Sequence, residues 1–258
     1  MVPRGQGPVT VEPAFFQALS TAARRTIAGV ADITPDNKEA AGFDPVTEAD
    51  RAAERVLRTQ IEAHFPDDAI WGEEYGWTRE GAGRVWSLDP IDGTRAFICG
   101  LPSWAVLVGV IEEGVHVAGM IDLPDLDALT IAVDGRTALN GTPVQTSGCE
   151  TLADAKISTV DPYLFDPSHK PRFERLREAA RLIRYSLDAM AFAKVASGEL
   201  DLAFDAGLKR HDYDALVAVV RGAGGHIGNW SGGEDLSGGD VIAAASEALY
   251  REAVDTLS

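Results

Sequence analysis

Phe16, Leu19, Ala23, Ile27 and Val30 recur at helical spacing, predicting an amphipathic helix from Pro13 to about Val30 behind a loose lead-in over residues 1–12. A polar, proline-containing loop runs from Asp32 to Pro45. Thr47-Glu48-Ala49-Asp50 has the form of a capping box and opens a second helix, with Ala53, Val56, Leu57 and Ile61 as its apolar positions. Asp68 to Gly72 reads as a strand, broken by Glu73-Glu74 and a glycine-rich loop through Gly83. Val106–Ile111, Val115–Ile121 and Leu129–Val133 are short β-rich runs between turn signals, which predicts an antiparallel sheet. Asn140-Gly141 adds a hairpin-type turn.

The pattern changes near residue 150. A strand (Lys156–Val160), a helix (Phe173–Ala180), a strand (Leu182–Tyr185), a helix (Asp188–Ala196) and a strand (Asp201–Phe204) follow one another. A helix from Asp212 to Ala223, a glycine-rich strand, Val241–Ala244 and a last helix to Leu257 complete the chain. This alternation indicates α/β layering. The expected organisation is two subdomains, an α+β one over 1–150 and an α/β one over 151–258, with no linker composition between them.

The 258 residues suffice for a large core, and 45% hydrophobic with 24% charged residues is ordinary globular composition. The formal net charge of -17 argues against nucleic acid as a main partner, since phosphate backbones need a basic surface. Metal ions can reverse that field locally and let an acidic protein take a phosphate ester. Cys99 and Cys149 make neither a disulfide framework nor a zinc spacing. No apolar run approaches a membrane span, and the N-terminus shows no signal-peptide core, so a cytoplasmic location is expected.

The chemistry concentrates in Trp86-Ser87-Leu88-Asp89-Pro90-Ile91-Asp92-Gly93-Thr94-Arg95-Ala96-Phe97. A short apolar strand ends in two carboxylates, Asp89 and Asp92, with Pro90 fixing the turn between them. Gly93 and Thr94 offer backbone amides at the start of a helical turn, so cation ligands and anion donors stand side by side. Read alone, Asp-x-x-Asp is equally a polar turn. Further acids occur in Asp44-Pro45-Val46-Thr47, Gly72-Glu73-Glu74 and His211-Asp212-Tyr213-Asp214. If Glu73 and Asp212 converge on Asp89 and Asp92, a cation is required, and magnesium suits carboxylates, waters and phosphate oxygens. Singly, Glu73 reads as a solvated loop acid and Asp212 as a helix N-cap.

Together these segments resemble the magnesium-dependent, lithium-sensitive phosphatases of the inositol monophosphatase superfamily, from about Ile27 to the C-terminus. The Asp-Pro-Ile-Asp-Gly-Thr sextet carries the likeness, with the Glu-Glu and the C-terminal Asp…Ala-Gly-Gly segments in the right order. The resemblance implies a layered αβαβα sandwich and two or three magnesium ions. Glu73, Asp89 and the Ile91 carbonyl would hold one ion, and Asp89, Asp92 and Asp212 a second. Glu73 would also hold a weaker third. Asp44 and Thr94 would orient and help deprotonate the attacking water, with the Gly93 and Thr94 amides on the phosphate. A small phosphorylated metabolite is the implied partner, and a homodimer the implied assembly.

Within that family the second half is similar to the histidinol-phosphate phosphatases. Leu182 to Tyr185, Ala196 to Leu202, Ala206-Gly207-Leu208-Lys209, Asp212-Tyr213 and Gly222-Ala223-Gly224-Gly225 carry this likeness. It implies that Asp188 faces the substrate and that Asp205, seven residues before Asp212, contacts its non-phosphate part. A substrate with an ammonium and an imidazole suits two carboxylates. Read from the residues, Asp188 caps a helix and Asp205 is a loop acid. The chain departs from the branch at Ser186-Leu187, where two glycines are usual, at Met190 and Phe192, at Arg210-His211 in place of Pro-Tyr, and at Arg221 in place of an acid. Inositol monophosphate and broader sugar or nucleotide phosphates stay open as substrates. A regulatory binding protein without catalysis is the reading from another class, against which the intact set of acids stands.

Overall fold

The computed structural model describes residues 11–38 and 45–258, and Asp44 lies outside them. Helix α1 (Pro13–Ala28) buries Phe16, Leu19, Ala23 and Ile27. The pair β1 (Asp36–Asn37) and β2 (Pro45–Val46) is antiparallel and leads into α2 (Glu48–His64). The capping box forms: the Asp50 carboxylate accepts from the Thr47 amide at 2.7 Å, and the Thr47 hydroxyl accepts from the Ala49 amide at 3.1 Å.

Strands β3 (Ala69–Gly72), β4 (Gly76–Thr78) and β5 (Arg84–Asp92) come next, then the short helix α3 (Thr94–Ile98). After them run β6 (Ala105–Glu112), β7 (Val115–Leu123), β8 (Ala128–Val133), β9 (Arg136–Leu139) and β10 (Thr142–Pro143). They form one sheet in the order β10-β9-β8-β7-β6-β5-β3-β4. The segment after Glu73-Glu74, expected as loop, contains β4, which turns back on β3 as a hairpin. Among the described strands of this sheet only β3 and β5 are parallel, with Gly72 opposite Leu88. That register sets the ends of both strands side by side, Glu73 next to Asp89.

The second sheet begins with β11 (Lys156–Thr159), followed by α4 (His169–Ala179), β12 (Leu182–Tyr185), α5 (Ala189–Ala196) and β13 (Leu202–Asp205). The chain ends with α6 (Arg210–Gly222), β14 (His226–Gly228), β15 (Val241–Ala244) and α7 (Glu247–Leu257). The strand order is β12-β11-β13-β15-β14. β11 is parallel to β12 and β13, and β15 antiparallel to β13 and β14.

Strand alternation distributes the apolar side chains among three cores. Val106, Val108 and Val110 of β6 pack with α1 and α2, whereas Ala105 and Leu107 point the other way, onto α5 and α6. Ala203 and Ala243 close that middle core from the second sheet, and Leu202, Phe204 and Ile242 face α4 and α7. The layers are therefore αβαβα. Helix α6 approaches the first sheet closely because β6 and β7 present glycines to it. A Cβ on Gly119 would lie 2.5 Å from the Ala215 carbonyl oxygen, and one on Gly109 2.8 Å from the backbone of Asp214.

Candidate active site

Asp89 and Asp92 are three residues apart, so a regular strand would point them to opposite faces. The pairing of β5 with β6 instead shifts between them, Asp89 lying opposite Leu107 and Asp92 opposite Ala105. Both partners face the middle core. The bulge, formed around Pro90, thus turns both carboxylates toward α6 and sends Ile91 into the core under α1 and α2.

Helix α6 begins at Arg210, two residues ahead of the expected start. Asp212 is therefore not the cap but the third helical residue, and its carboxylate accepts from the Lys209 amide at 2.6 Å. Among the described residues two groups of ligand atoms result, each with all members within 4.8 Å of one another: Asp89, Asp92 and Asp212, and Glu73, Asp89 and His211. Either could hold a metal ion. In the sequence His211 stands only as a departure from the branch pattern; its place in the second group is a finding of the structure.

The electrostatics fit a cation. Burial, then Glu73, Asp92 and Asp212, push the Asp89 carboxyl well above the usual range. Asp92 is raised likewise by burial and by Asp188 and Asp212. Burial also acts on Glu73, but His211 and Lys38 outweigh it and hold that carboxyl low. The Lys38 ammonium lies 2.8 Å from Glu73 and also pairs with Glu74. Lys38 and His211 relieve part of this repulsion at Glu73, and the Ala189 amide part of it at Asp92. Four converging acids of this kind suit a hard cation with oxygen ligands.

A buried pair in α2 supports Glu73. Glu54 accepts from Arg58 at 2.7 Å and from the amides of Glu74 and Tyr75, fixing the turn that follows β3. A Cβ on Gly72 would come within 2.0 Å of the Glu54 carboxylate, so glycine is required there. Neither Glu54 nor Arg58 stood out in the sequence, where each falls among the polar positions of an amphipathic helix.

Gly93 caps α3 with φ 77°, a left-handed conformation. The Thr94 hydroxyl donates to the Ile91 carbonyl at 3.1 Å, so those two expected site groups are bonded to each other. Asp188 occupies the N-cap position of α5 but forms no side-chain cap bond. Its carboxylate lies instead against Gly93, where a Cβ would stand 3.0 Å from Asp188 Oδ2. Burial raises Asp188 to about 6, with Arg95 opposing.

Asp205 is 3% exposed, and its Oδ1 accepts from the Thr159 hydroxyl at 2.9 Å and the Val160 amide at 2.7 Å. It is thus a buried strand-end residue and not a loop acid. Burial pushes it up to about 7. Asp92, Asp188, Asp205 and Asp212 share a cavity of about 50 Å³ with Phe192 and Leu208, room for a few waters. His226 lies elsewhere, its ring 4.3 Å from that of Tyr250, and Arg221 pairs with Glu234.

The comparisons with known proteins agree with this geometry. The family described as the inositol monophosphatase family matches residues 11–258. A bifunctional phosphatase, IMPL2, of Arabidopsis thaliana is 38% identical over 227 residues, 83% of this chain and 66% of the plant protein. A histidinol-phosphatase of Chlorobaculum parvum is 38% identical over 212 residues, 81% of this chain and 82% of that one. Among solved structures, an inositol monophosphatase from Zymomonas mobilis superposes with a TM-score of 0.84 at 35% identity, covering 95% of this chain and 96% of its own.

Proposed function

This chain belongs to the inositol monophosphatase family and is a phosphatase of that family, and we propose that it is a magnesium-dependent monoesterase whose substrate is histidinol phosphate. The observation that carries the phosphatase chemistry is the convergence of Glu73, Asp89, Asp92 and Asp212 next to Gly93 and Thr94. Bound magnesium would supply a water of lowered pKa and neutralise charge on the phosphate and the leaving oxygen. Asp89 would be shared between two ions, with Asp92 and Asp212 on one side and Glu73 with the Ile91 carbonyl on the other. Thr94 and Asp44 would orient the attacking water and take its proton, while the Gly93 and Thr94 amides hold the phosphate. Residues 1–150 would thus supply most of the ligands, and residues 151–258 would complete the site with Asp212.

The substrate reading rests on the second half of the chain and on the 38% identity to a histidinol-phosphatase. Asp188, whose carboxylate lies beside Gly93, would meet the ammonium of the departing alcohol. Asp205, being buried, would reach it only through the small cavity that both acids line. A charge-assisted hydrogen bond of this kind contributes about 1.5–3 kcal/mol, or roughly ten- to a hundredfold in kcat/KM. Inositol monophosphate is the second reading, favoured by the match to the Zymomonas mobilis enzyme and by Ser186-Leu187.

Phosphate release from histidinol phosphate, inositol monophosphate, glycerol phosphate and nucleotide monophosphates, with magnesium and with EDTA, tests both levels. Hydrolysis that survives EDTA refutes the metal chemistry. A clear preference for inositol monophosphate refutes the substrate assignment alone. Asp188→Asn should lower kcat/KM for histidinol phosphate by about tenfold or more and leave glycerol phosphate nearly unchanged.

A further inference from the structure

His211 sits in the first turn of α6, immediately before Asp212, and its side chain is 7% exposed. A buried imidazole ordinarily has hydrogen bonds at both nitrogens. Among the described residues Nδ1 has no partner, and Nε2 stands 3.4 Å from Asp212 Oδ1, beyond a good hydrogen bond. One of its ring nitrogens nevertheless lies within 4.8 Å of carboxylate oxygens of both Glu73 and Asp89. Donors bonded to one ion at about 2.0–2.2 Å stand no farther apart than roughly 4.4 Å, so small side-chain movements close this set. The site already attracts positive charge, since the Lys38 ammonium pairs with Glu73 at 2.8 Å.

We propose that His211 is a nitrogen ligand to a divalent ion held by Glu73 and Asp89, and that it biases this position toward first-row transition ions such as Mn2+ or Zn2+ over Mg2+. The inference rests on the reading of the acids as a metal centre and adds a donor to it. Imidazole suits zinc and its neighbours, whereas all-oxygen sets suit magnesium. Magnesium keeps its own place in the all-carboxylate group of Asp89, Asp92 and Asp212. The centre is then heterogeneous, one position oxygen-only and the other mixed.

The test is metal binding by the metal-stripped full chain, read independently of turnover. Mn2+ is added below one equivalent, and pulsed electron paramagnetic resonance records whether coordinated 14N modulates the echo. Imidazole-type 14N modulation is expected in the wild type and its loss in His211→Asn, with His211→Phe as a second variant should the first misfold. Titration calorimetry should show Mn2+ affinity falling about tenfold or more in the variant, and Mg2+ affinity by less than about threefold. Bound Mn2+ without 14N modulation, or modulation that persists in a folded His211 variant, overturns the ligand assignment and leaves the acidic centre standing. Failure of the wild type to bind Mn2+ or Mg2+ at all overturns the metal centre, and the ligand assignment with it.

Discussion

The Asp92 carboxylate accepts a 2.8 Å hydrogen bond from the Ala189 amide, 97 positions along the chain. Ala189 is the first residue of α5, so Asp92 satisfies one of that helix's free amides from the other sheet. The residue standing at the cap, Asp188, turns its own carboxylate toward Gly93. The positive end of α5 thereby offsets part of the charge on Asp92.

This arrangement separates two effects of substitution at Asp92. Asp92→Asn keeps an acceptor for the Ala189 amide and removes a repelling charge, so the metal-free variant should melt at or above the wild type. Asp92→Ala loses the acceptor and should be less stable than Asp92→Asn by about 1 kcal/mol. Both should bind magnesium more weakly. Thermal melts with and without magnesium check this, and equal stability of the two variants would refute the capping role.

The buried acids set a pH dependence of definite sign. Asp205 is raised from 3.8 to about 7 and Asp188 from 3.8 to about 6, both chiefly by burial. Each binds its proton more tightly folded than unfolded. Their contribution is full below the ordinary carboxylate range and is lost as pH rises through 6 to 7. Glu73, held low, acts in the opposite sense. EDTA-treated protein should melt at a higher temperature at pH 5 than at pH 7.5, and divalent ion should shrink the difference. Asp205→Asn keeps an oxygen for the Thr159 hydroxyl and the Val160 amide, so it should flatten the slope without unfolding the strand. Parallel profiles for wild type and variant would contradict the assignment.

Backbone conformation gives a prediction of the opposite kind on either side of the site. Gly93→Ala places a Cβ at φ 77° and 3.0 Å from Asp188 Oδ2, and should cost about 1–2 kcal/mol and impair hydrolysis. Ser186 has φ 59° with a Cβ already present, so Ser186→Gly should cost little or raise stability by up to about 1 kcal/mol. Urea melts of both variants decide the point.

Glu54 and Arg58 should matter out of proportion to their distance from the chemistry. Glu54→Ala leaves the Arg58 guanidinium and the amides of Glu74 and Tyr75 without their shared acceptor. A loss of about 3–5 kcal/mol is expected, with weaker metal binding because the turn bearing Glu73 loses its support. Calorimetric titration at a temperature where the variant is folded distinguishes the two effects.

Local pattern made most elements legible: the helical spacing in α1, the capping box of α2, the Asn140-Gly141 turn and the βα alternation after residue 150. The acidic motif was legible for the same reason, since its turn chemistry lies within six consecutive residues. Strand β4 was missed because three residues among glycines carry no period of two. Its pairing comes from β3, not from its own sequence.

What the sequence alone determined, then, is which residues carry charge at the ends of which strands and helices, because periodicity and turn preference act over a few residues. Tertiary structure decided the rest. The parallel pairing of β3 with β5 put Glu73 beside Asp89, and the bulge at Pro90 brought Asp89 and Asp92 onto one face. The close packing of α6 on Gly109 and Gly119 delivered Asp212 and His211 to them. Glu54, Lys38 and the Ala189 amide joined the site from far along the chain. Such contacts are fixed by which surfaces exclude water together, and that depends on the whole packed chain, not on any stretch of it.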